Sequence, residues 1–227
     1  MTFLATIHAK EYAIIAADKM EVAIIGSGFV PVRRDVDKII YTGIGLMTGS
    51  GYVTLLDEVK TAVSGTDITH TDQILGIIKE KRLIIRSNPH LPENQKSDFL
   101  TNTGWLFTYY TVVDNKPTIR VAIYSPHISE QNLGLVEENK CNAFFPSDAT
   151  IVIRESFMDT LKSEMASSDG ADSFEDTLSI NSRLILRLMS EMSGVSSFVN
   201  ESCDIGLVLL DGSTLIARDV SMQTANI

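Results

Sequence analysis

Residues 1–22 read MTFLATIHAKEYAIIAADKMEV and contain two short runs of β-branched and apolar residues. These runs, residues 3–9 and 12–17, are separated only by Lys10 and Glu11, which is the pattern of a tight β-hairpin. We therefore predict that the chain begins with two paired strands. Further strand-like runs follow at residues 22–25, 29–32 and 38–44.

The hydrophobic period changes after residue 50. Within residues 52–63 the apolar side chains recur at every third or fourth position, which places them on one face of a helix. Helices are also predicted over residues 72–85, 151–165 and 174–193, with Thr71 and Ser173 as N-caps and Gly194 as the stop. Residues 88–103 are expected to form a loop.

The remaining strand signals are two hairpins and one short run. Aromatic and β-branched residues at 105–113 and 118–124 flank a turn at residues 114–117. A closing hairpin is predicted from residues 205–210 and 213–220, joined by Asp211 and Gly212 in a type I′ turn. Residues 143–145 are one further candidate strand.

This order, strands in groups alternating with pairs of helices, decides the fold class. It favours antiparallel sheets, because parallel strands would each need a crossover helix between them. We expect an α+β fold, a four-layer αββα sandwich in which two antiparallel sheets face each other and a helix pair covers each outer face. The 227 residues are expected to form a single domain.

Composition and charge exclude several classes of function. The net charge of −10 opposes attraction to nucleic acid or to an anionic bilayer, so neither is an expected partner. No apolar run approaches the ~20 residues of a membrane span. The N-terminus lacks a signal-peptide pattern, so a cytoplasmic location is expected. Two cysteines and four histidines without ligand spacing predict no metal and no cofactor.

The first 65 residues resemble the proteasome β-subunit family of N-terminal nucleophile hydrolases, in particular a bacterial proteasome-like member. Beside residues 1–22, the likeness rests on VRRDVDKI at residues 32–39 and GLMTGSGYVTLLDEVK at residues 45–60. In that family an N-terminal threonine is followed sixteen positions later by an aspartate and thirty-two positions later by a lysine. Thr2, Asp18 and Arg34 stand at these spacings.

The resemblance implies that Thr2 is the nucleophile once Met1 is removed. A free α-amine has a pKa of about 7.7 to 8.0 and can act as base for the hydroxyl of the same residue. If Met1 stays attached, the nitrogen of Thr2 is an amide and is no base.

Arg34 stands where the family has lysine. It can supply positive charge and pair with Asp18, but a guanidinium cannot relay a proton. The neighbouring Arg33 leaves the register open by one residue, and Lys19 is an alternative cation.

Three further positions follow from the resemblance. Gly49 corresponds to the glycine whose N–H binds the oxyanion, and Ser147 to a supporting serine. Ser202 lies in the counterpart of an Asp-x-x-Ser-Gly-Asp segment, where Asp204 is kept but Val199 replaces the first aspartate.

The expected function is a threonine peptidase or amide hydrolase subunit in a homo-oligomeric ring or helical stack. The main alternative is a catalytically inactive structural or scaffold subunit, which the arginine and the lost aspartate favour. A third is a small-molecule amide hydrolase, which a closed pocket would suggest. The sequence identifies no substrate and no ATPase partner.

Overall fold

The computed structural model describes residues 2–25, 28–167 and 173–224. The chain is a mixed α/β protein with antiparallel sheets and five helices in the described residues. The helices are α1 (Val53–Ser64), α2 (Thr71–Ser87), α3 (Glu93–Thr101), α4 (Ile151–Glu164) and α5 (Phe174–Val195). The strands are β1 (Leu4–His8), β2 (Tyr12–Asp18), β3 (Glu21–Ile25), β4 (Gly28–Arg33), β5 (Ile40–Thr42), β6 (Gly45–Ser50), β7 (Gly104–Val113), β8 (Lys116–Tyr124), β9 (Gly134–Val136), β10 (Lys140–Phe144), β11 (Cys203–Leu209) and β12 (Thr214–Val220).

The predicted N-terminal hairpin forms the middle of the first sheet, whose strand order is β10-β1-β2-β11-β12. Its turn is closed by Ala9, whose N–H donates to the carbonyl of Tyr12 at 2.9 Å. Strands β1 and β2 are buried along their whole length, which explains why their sequence is almost continuously apolar.

The second sheet has the order β5-β6-β7-β8-β9, and β3 and β4 form a separate two-stranded sheet. The long β7–β8 hairpin was predicted from its turn residues. Asp114 and Asn115 both have positive φ, at 51° and 60°, as a two-residue type I′ turn requires.

Three clusters of buried side chains join these elements. One packs Ile7 and Ile14 of the first sheet against Leu188 and Met189 of α5. A second packs α1 and α2 against Trp105 and Phe107 of the second sheet. A third joins the two sheets to each other through Leu4, Ile15, Leu106 and Val121.

Two segments contain regular structure that the sequence did not predict. Helix α3 lies within the expected loop of residues 88–103, and it is held by tertiary contact, since Phe99 stacks on Tyr52 with ring centroids 3.8 Å apart. Gly49 and Ser50 belong to the buried strand β6, which pairs with β7. Short strands and short helices lack the periodicity that reveals longer elements.

At the ends of three elements the structure differs from the prediction. Helix α2 is capped by His70 and not by Thr71, and α5 continues through Gly194. In the turn of the last hairpin Gly212 has positive φ, at 85°, but Asp211 does not, so the turn is not type I′. The N–H of Gly212 donates to the carbonyl of Leu209 at 2.9 Å, so a four-residue turn ends at this left-handed glycine.

No helix in these ranges of the chain combines the length and apolar character needed to cross a bilayer.

Candidate active site

Thr2 and Asp18 are brought together by the register of the first hairpin. Leu4 pairs with Ala17, so the next positions outward, Phe3 and Asp18, lie opposite each other. The N–H of Phe3 donates to Asp18 Oδ1 at 3.0 Å, and the N–H of Asp18 donates to the carbonyl of Phe3 at 3.2 Å. Thr2 is 4% exposed and Asp18 is fully buried. The pairing predicted from sequence thus positions both residues.

Lys38 completes this cluster from the segment that precedes β5. Its Nζ donates to Thr2 Oγ1 at 2.9 Å and to both carboxylate oxygens of Asp18 at 3.0 Å. It also donates to the carbonyl of Met20. An ammonium group has three N–H donors, and here the hydroxyl, the carboxylate and the carbonyl each accept from it. Lys38 therefore links the candidate nucleophile to the buried acid.

The assignment of this cation to Arg34 has to be corrected. The Arg34 side chain is exposed, and its backbone carbonyl accepts a hydrogen bond from Asn200 Nδ2 at 2.9 Å. Lys38 lies 36 positions after Thr2, four more than the spacing of the resemblance. Loops absorb such insertions at small free-energy cost, so counting along the chain does not locate the residue that reaches the site.

The other two candidate cations have different partners. Arg33 forms an exposed ion pair with Glu21 across the β3–β4 hairpin. Lys19 Nζ lies 3.4 Å from Asp37 Oδ1 and 3.6 Å from Asp204 Oδ1. In the described structure neither donates to Asp18.

Burial governs the protonation of the cluster. Desolvation lowers the pKa of Lys38, and the charge and hydrogen bonds of Asp18 oppose this shift. Desolvation also raises the pKa of Asp18, and Lys38 and the N–H of Met20 oppose it. A lysine with a lowered pKa loses its proton more readily than a free one, which an arginine at this position would not do.

A small cavity of about 30 Å³ lies beside Thr2 and Lys38. Gly49 and Gly51 line it from the end of β6 and the start of α1. A Cβ at Gly49 would lie 2.6 Å from Leu56 Cδ2 and 3.0 Å from the carbonyl oxygen of Gly104, so a larger residue requires these neighbours to move. Gly49 therefore lies at the candidate site, as the resemblance implied, within a strand.

Lys60 lines the same cavity from α1. Desolvation lowers its pKa to about 8, partly offset by Asp57 one turn earlier on the helix. The sequence alone gives no sign of this role, because a lysine on an amphipathic helix normally lies on the solvated face.

Neither predicted serine contacts Thr2 by a hydrogen bond in the described part of the chain. Ser147 is exposed, and its carbonyl is 3.5 Å from Arg154 Nη2. The half-buried Ser202 accepts a hydrogen bond from Asn200 Nδ2 at 3.4 Å.

Asn200 is a residue that sequence reasoning missed. Its Oδ1 accepts from the N–H of Lys19 at 2.9 Å, and its Nδ2 bonds the carbonyl of Arg34. It follows Val199, the position at which the resemblance placed the lost aspartate. The signal in the sequence was the side-chain amide of Asn200, one residue after the position of the missing aspartate.

No family model matches the chain, and no curated protein matches it. Among solved structures, the Gly-1 mutant of Anbu from Hyphomicrobium sp. strain MC1 is similar, with a TM-score of 0.62 and 11% sequence identity. The match covers 98% of this chain and 88% of that chain. At this identity the likeness is one of fold, and it supports a proteasome-like fold.

Proposed function

We propose that the chain is a proteasome-like amide hydrolase subunit in which Thr2, freed of any preceding residue, is the nucleophile. The observation that carries the proposal is the buried contact of Lys38 Nζ with both Thr2 Oγ1 and Asp18. Burial of a lysine and an aspartate costs free energy unless the two pair. Here the paired lysine also contacts a threonine hydroxyl, which is an arrangement that activates the hydroxyl as a nucleophile.

The proposal includes a four-layer αββα sandwich formed by a single domain. The contact clusters support it, since α4 and α5 pack on one sheet, α1 and α2 pack on the other, and a third cluster lies between the sheets. The match over 98% of the chain also supports one domain.

The reaction follows from the groups at the site. The Oγ of Thr2 attacks the amide carbonyl, and its proton passes to the free α-amine of the same residue, while the Lys38 ammonium stabilises the negative charge that develops on Oγ. The new C–O bond gives a tetrahedral oxyanion, which the N–H of Gly49 stabilises. The C–N bond then breaks as the proton moves to the leaving amine. Water hydrolyses the resulting ester and returns the proton to Thr2.

Not every predicted residue enters this mechanism. Asp18 holds Lys38, and Lys38 replaces Arg34 as the cation. Ser202 contributes through Asn200, which contacts Lys19 next to Asp18. Ser147 has no role in the proposal, since its side chain is exposed.

Self-association belongs to the proposal as well. The family that the first 65 residues resemble forms oligomers, and in this chain the first turn of α4 exposes Ile151 and Val152 at 68% and 69%. Apolar residues at such exposure are normal singly, but two adjacent ones suit a subunit contact. The mass of the native particle in solution tests this point independently of activity.

The geometry of the site also bears on the two alternative functions, an inactive scaffold and a small-molecule amide hydrolase. The replacement of lysine by arginine, which favoured an inactive scaffold, no longer does so, because Lys38 occupies the site. A small-molecule amide hydrolase is favoured by the small cavity, about 30 Å³, beside a Thr2 that is only 4% exposed. Peptide amides and small amides are therefore both tested as substrates.

The test is covalent labelling of Thr2 in protein whose chain begins at that residue. A peptidyl epoxyketone reacts with both the hydroxyl and the amine of an N-terminal threonine, and intact mass reports the adduct. We expect one adduct per chain in the wild-type protein and in Thr2→Ser, and none in Thr2→Ala. Thr66→Ala, an exposed threonine beyond α1, is the matched control. Equal amide hydrolysis by Thr2→Ala and the wild type would refute the proposal.

A further inference from the structure

The segment that carries Lys38 is held in place by hydrogen bonds along its backbone. The carbonyl of Arg34 accepts from Asn200 Nδ2 at 2.9 Å, and the N–H of Val36 donates to the carbonyl of Lys19 at 3.0 Å. The carbonyl of Ile39, directly after Lys38, accepts from Arg218 Nη2 at 2.9 Å. The backbone on both sides of Lys38 is therefore fixed by other parts of the fold.

Arg218 is itself anchored to a buried acid. Its Nη1 donates to Asp204 Oδ2, and the N–H of Asp219 donates to Asp204 Oδ1 at 3.1 Å. Asp204 is fully buried on β11, next to Cys203, which pairs with Asp18 in the register of the sheet. The acid that holds Arg218 and the acid that holds Lys38 thus belong to adjacent strands.

A third carboxylate connects this anchor to the other side of Lys38. Asp37 Oδ1 lies 3.4 Å from Lys19 Nζ and 3.8 Å from Arg218 Nη1. Lys19 Nζ also approaches Asp204 at 3.6 Å. The residue before Lys38 and the residue after it are consequently held by the same cluster of charges.

A contribution to stability alone does not explain such a cluster of charges. Exposed pairs such as Arg218–Asp37 contribute little stability, and buried pairs such as Lys19–Asp204 are often no more stabilising than apolar residues of the same volume. A lysine side chain has four rotatable bonds, so its amine stays in contact with three acceptors only if the backbone that bears it is fixed. Displacement of a catalytic group by about 1 Å can cost ~100-fold in rate.

We propose that Arg218, anchored by Asp204, is a positioning residue that holds the Lys38 amine against Thr2 and Asp18 through the Ile39 carbonyl. The inference rests on the proposed function for its kinetic consequence. The positioning itself is a statement about Lys38 and can be tested without turnover.

The first variant is Arg218→Lys, which keeps the charge but cannot donate to Asp204 and to the Ile39 carbonyl in the same forked geometry. The second is Asp37→Asn at a carboxylate that is 61% exposed, where a folding failure is not expected. Arg187→Lys is the matched control, since Arg187 pairs with Glu164 at 2.6 Å on the far helix layer.

The readout for activity is the rate constant of epoxyketone labelling at Thr2 and the hydrolysis of a peptide amide. We expect Arg218→Lys to lower kcat by roughly 10-fold to 100-fold with KM little changed, because substrate contacts are untouched. Asp37→Asn should lower kcat by a smaller factor, and Arg187→Lys should have the kcat of the wild type.

The readout for position is the titration of the Lys38 amine, followed by NMR with isotope-labelled lysine and assigned by Lys38→Arg. The carboxylates near this amine are Asp18, Glu21 and Asp204. We expect its pKa to rise toward that of a free lysine in Arg218→Lys, as water reaches the loosened amine, and to stay unchanged in Arg187→Lys.

The two readouts separate the two proposals. If wild-type protein is not labelled but the Lys38 titration shifts in Arg218→Lys, the proposed function fails and the positioning role stands. If Arg218→Lys and Asp37→Asn both fold and titrate at Lys38 like the wild type, the positioning role is overturned, whatever the labelling shows.

Discussion

At the scale of single residues, the candidate site contains buried charged groups that are stabilised by their contacts with one another. Asp18 accepts from Lys38, from the N–H of Phe3 and from the N–H of Met20. Without these donors a fully buried carboxylate would be expected to take up a proton. The lowered pKa of Lys38 and its contact with Thr2 are two consequences of one buried environment.

The first prediction compares Lys38→Arg with Arg34→Lys. Arginine at position 38 keeps a positive charge but does not fit the contacts that the ammonium group makes with Thr2 and Asp18, so we expect labelling of Thr2 to slow by at least about 100-fold. Arg34→Lys alters an exposed side chain and should change the rate by less than about threefold. Rates of adduct formation by intact mass decide between them, and the opposite ranking would restore Arg34 as the cation.

The second prediction concerns the pH dependence of Lys60. Its pKa is lowered to about 8, so its amine becomes neutral and nucleophilic as pH rises through that value. We expect acylation of Lys60 by an activated ester to increase steeply from pH 7 to about pH 9 and then level off.

Peptide mapping by mass spectrometry measures this modification, with the exposed Lys116 as the internal comparison. Because Lys60 and Thr2 line one cavity, prior labelling of Thr2 should protect Lys60. Unprotected Lys60 in fully labelled protein would show that ligands at Thr2 do not extend to α1.

At the scale of elements, the β6–α1 junction combines backbone shape with the cavity. A side chain at Gly49 would press on Leu56 and Gly104, and Gly51 has a φ of +132° that other residues rarely adopt. The sequence predicted the first strand pair and the helix α1 from periodicity. It did not predict β6, since six residues containing two glycines carry no alternating pattern.

The third prediction compares two glycine-to-alanine changes. Gly49→Ala forces a Cβ against Leu56 and the carbonyl of Gly104, so we expect the free energy of unfolding to fall by about 1–3 kcal/mol. Gly76→Ala in α2 meets no atom within 4 Å and should raise it by about 0.5–1 kcal/mol. Urea titrations of both variants measure the difference. A neutral Gly49→Ala would mean that the junction can relax.

At the scale of the whole molecule, three apolar clusters join the sheets and helices, and the candidate site lies where the ends of β1 and β2 meet the segment before β5. The outer cluster under α5 contains Leu188, and the cluster between the sheets contains Leu106. Because both share strands β1 and β2, neither can be lost without exposing the other.

The fourth prediction tests this coupling. Leu188→Ala and Leu106→Ala each leave a cavity at a side chain no more than 1% exposed and should cost about 2–5 kcal/mol. If the chain is one domain, each variant keeps a single unfolding transition by calorimetry and by circular dichroism, moved to lower temperature. Two separated transitions in Leu188→Ala would contradict a single domain.

The sequence by itself determined the long elements and the contact of Thr2 with the strand that ends at Asp18, because both follow from local periodicity and from the register of one tight hairpin. Only the tertiary structure decided which cation reaches them. Lys38, Asn200 and Arg218 come from distant segments whose spacing along the chain is set by loops. A loop can lengthen at little cost while its buried end keeps its place, so the position of a side chain in space is decided by packing and by the pairing of buried charges.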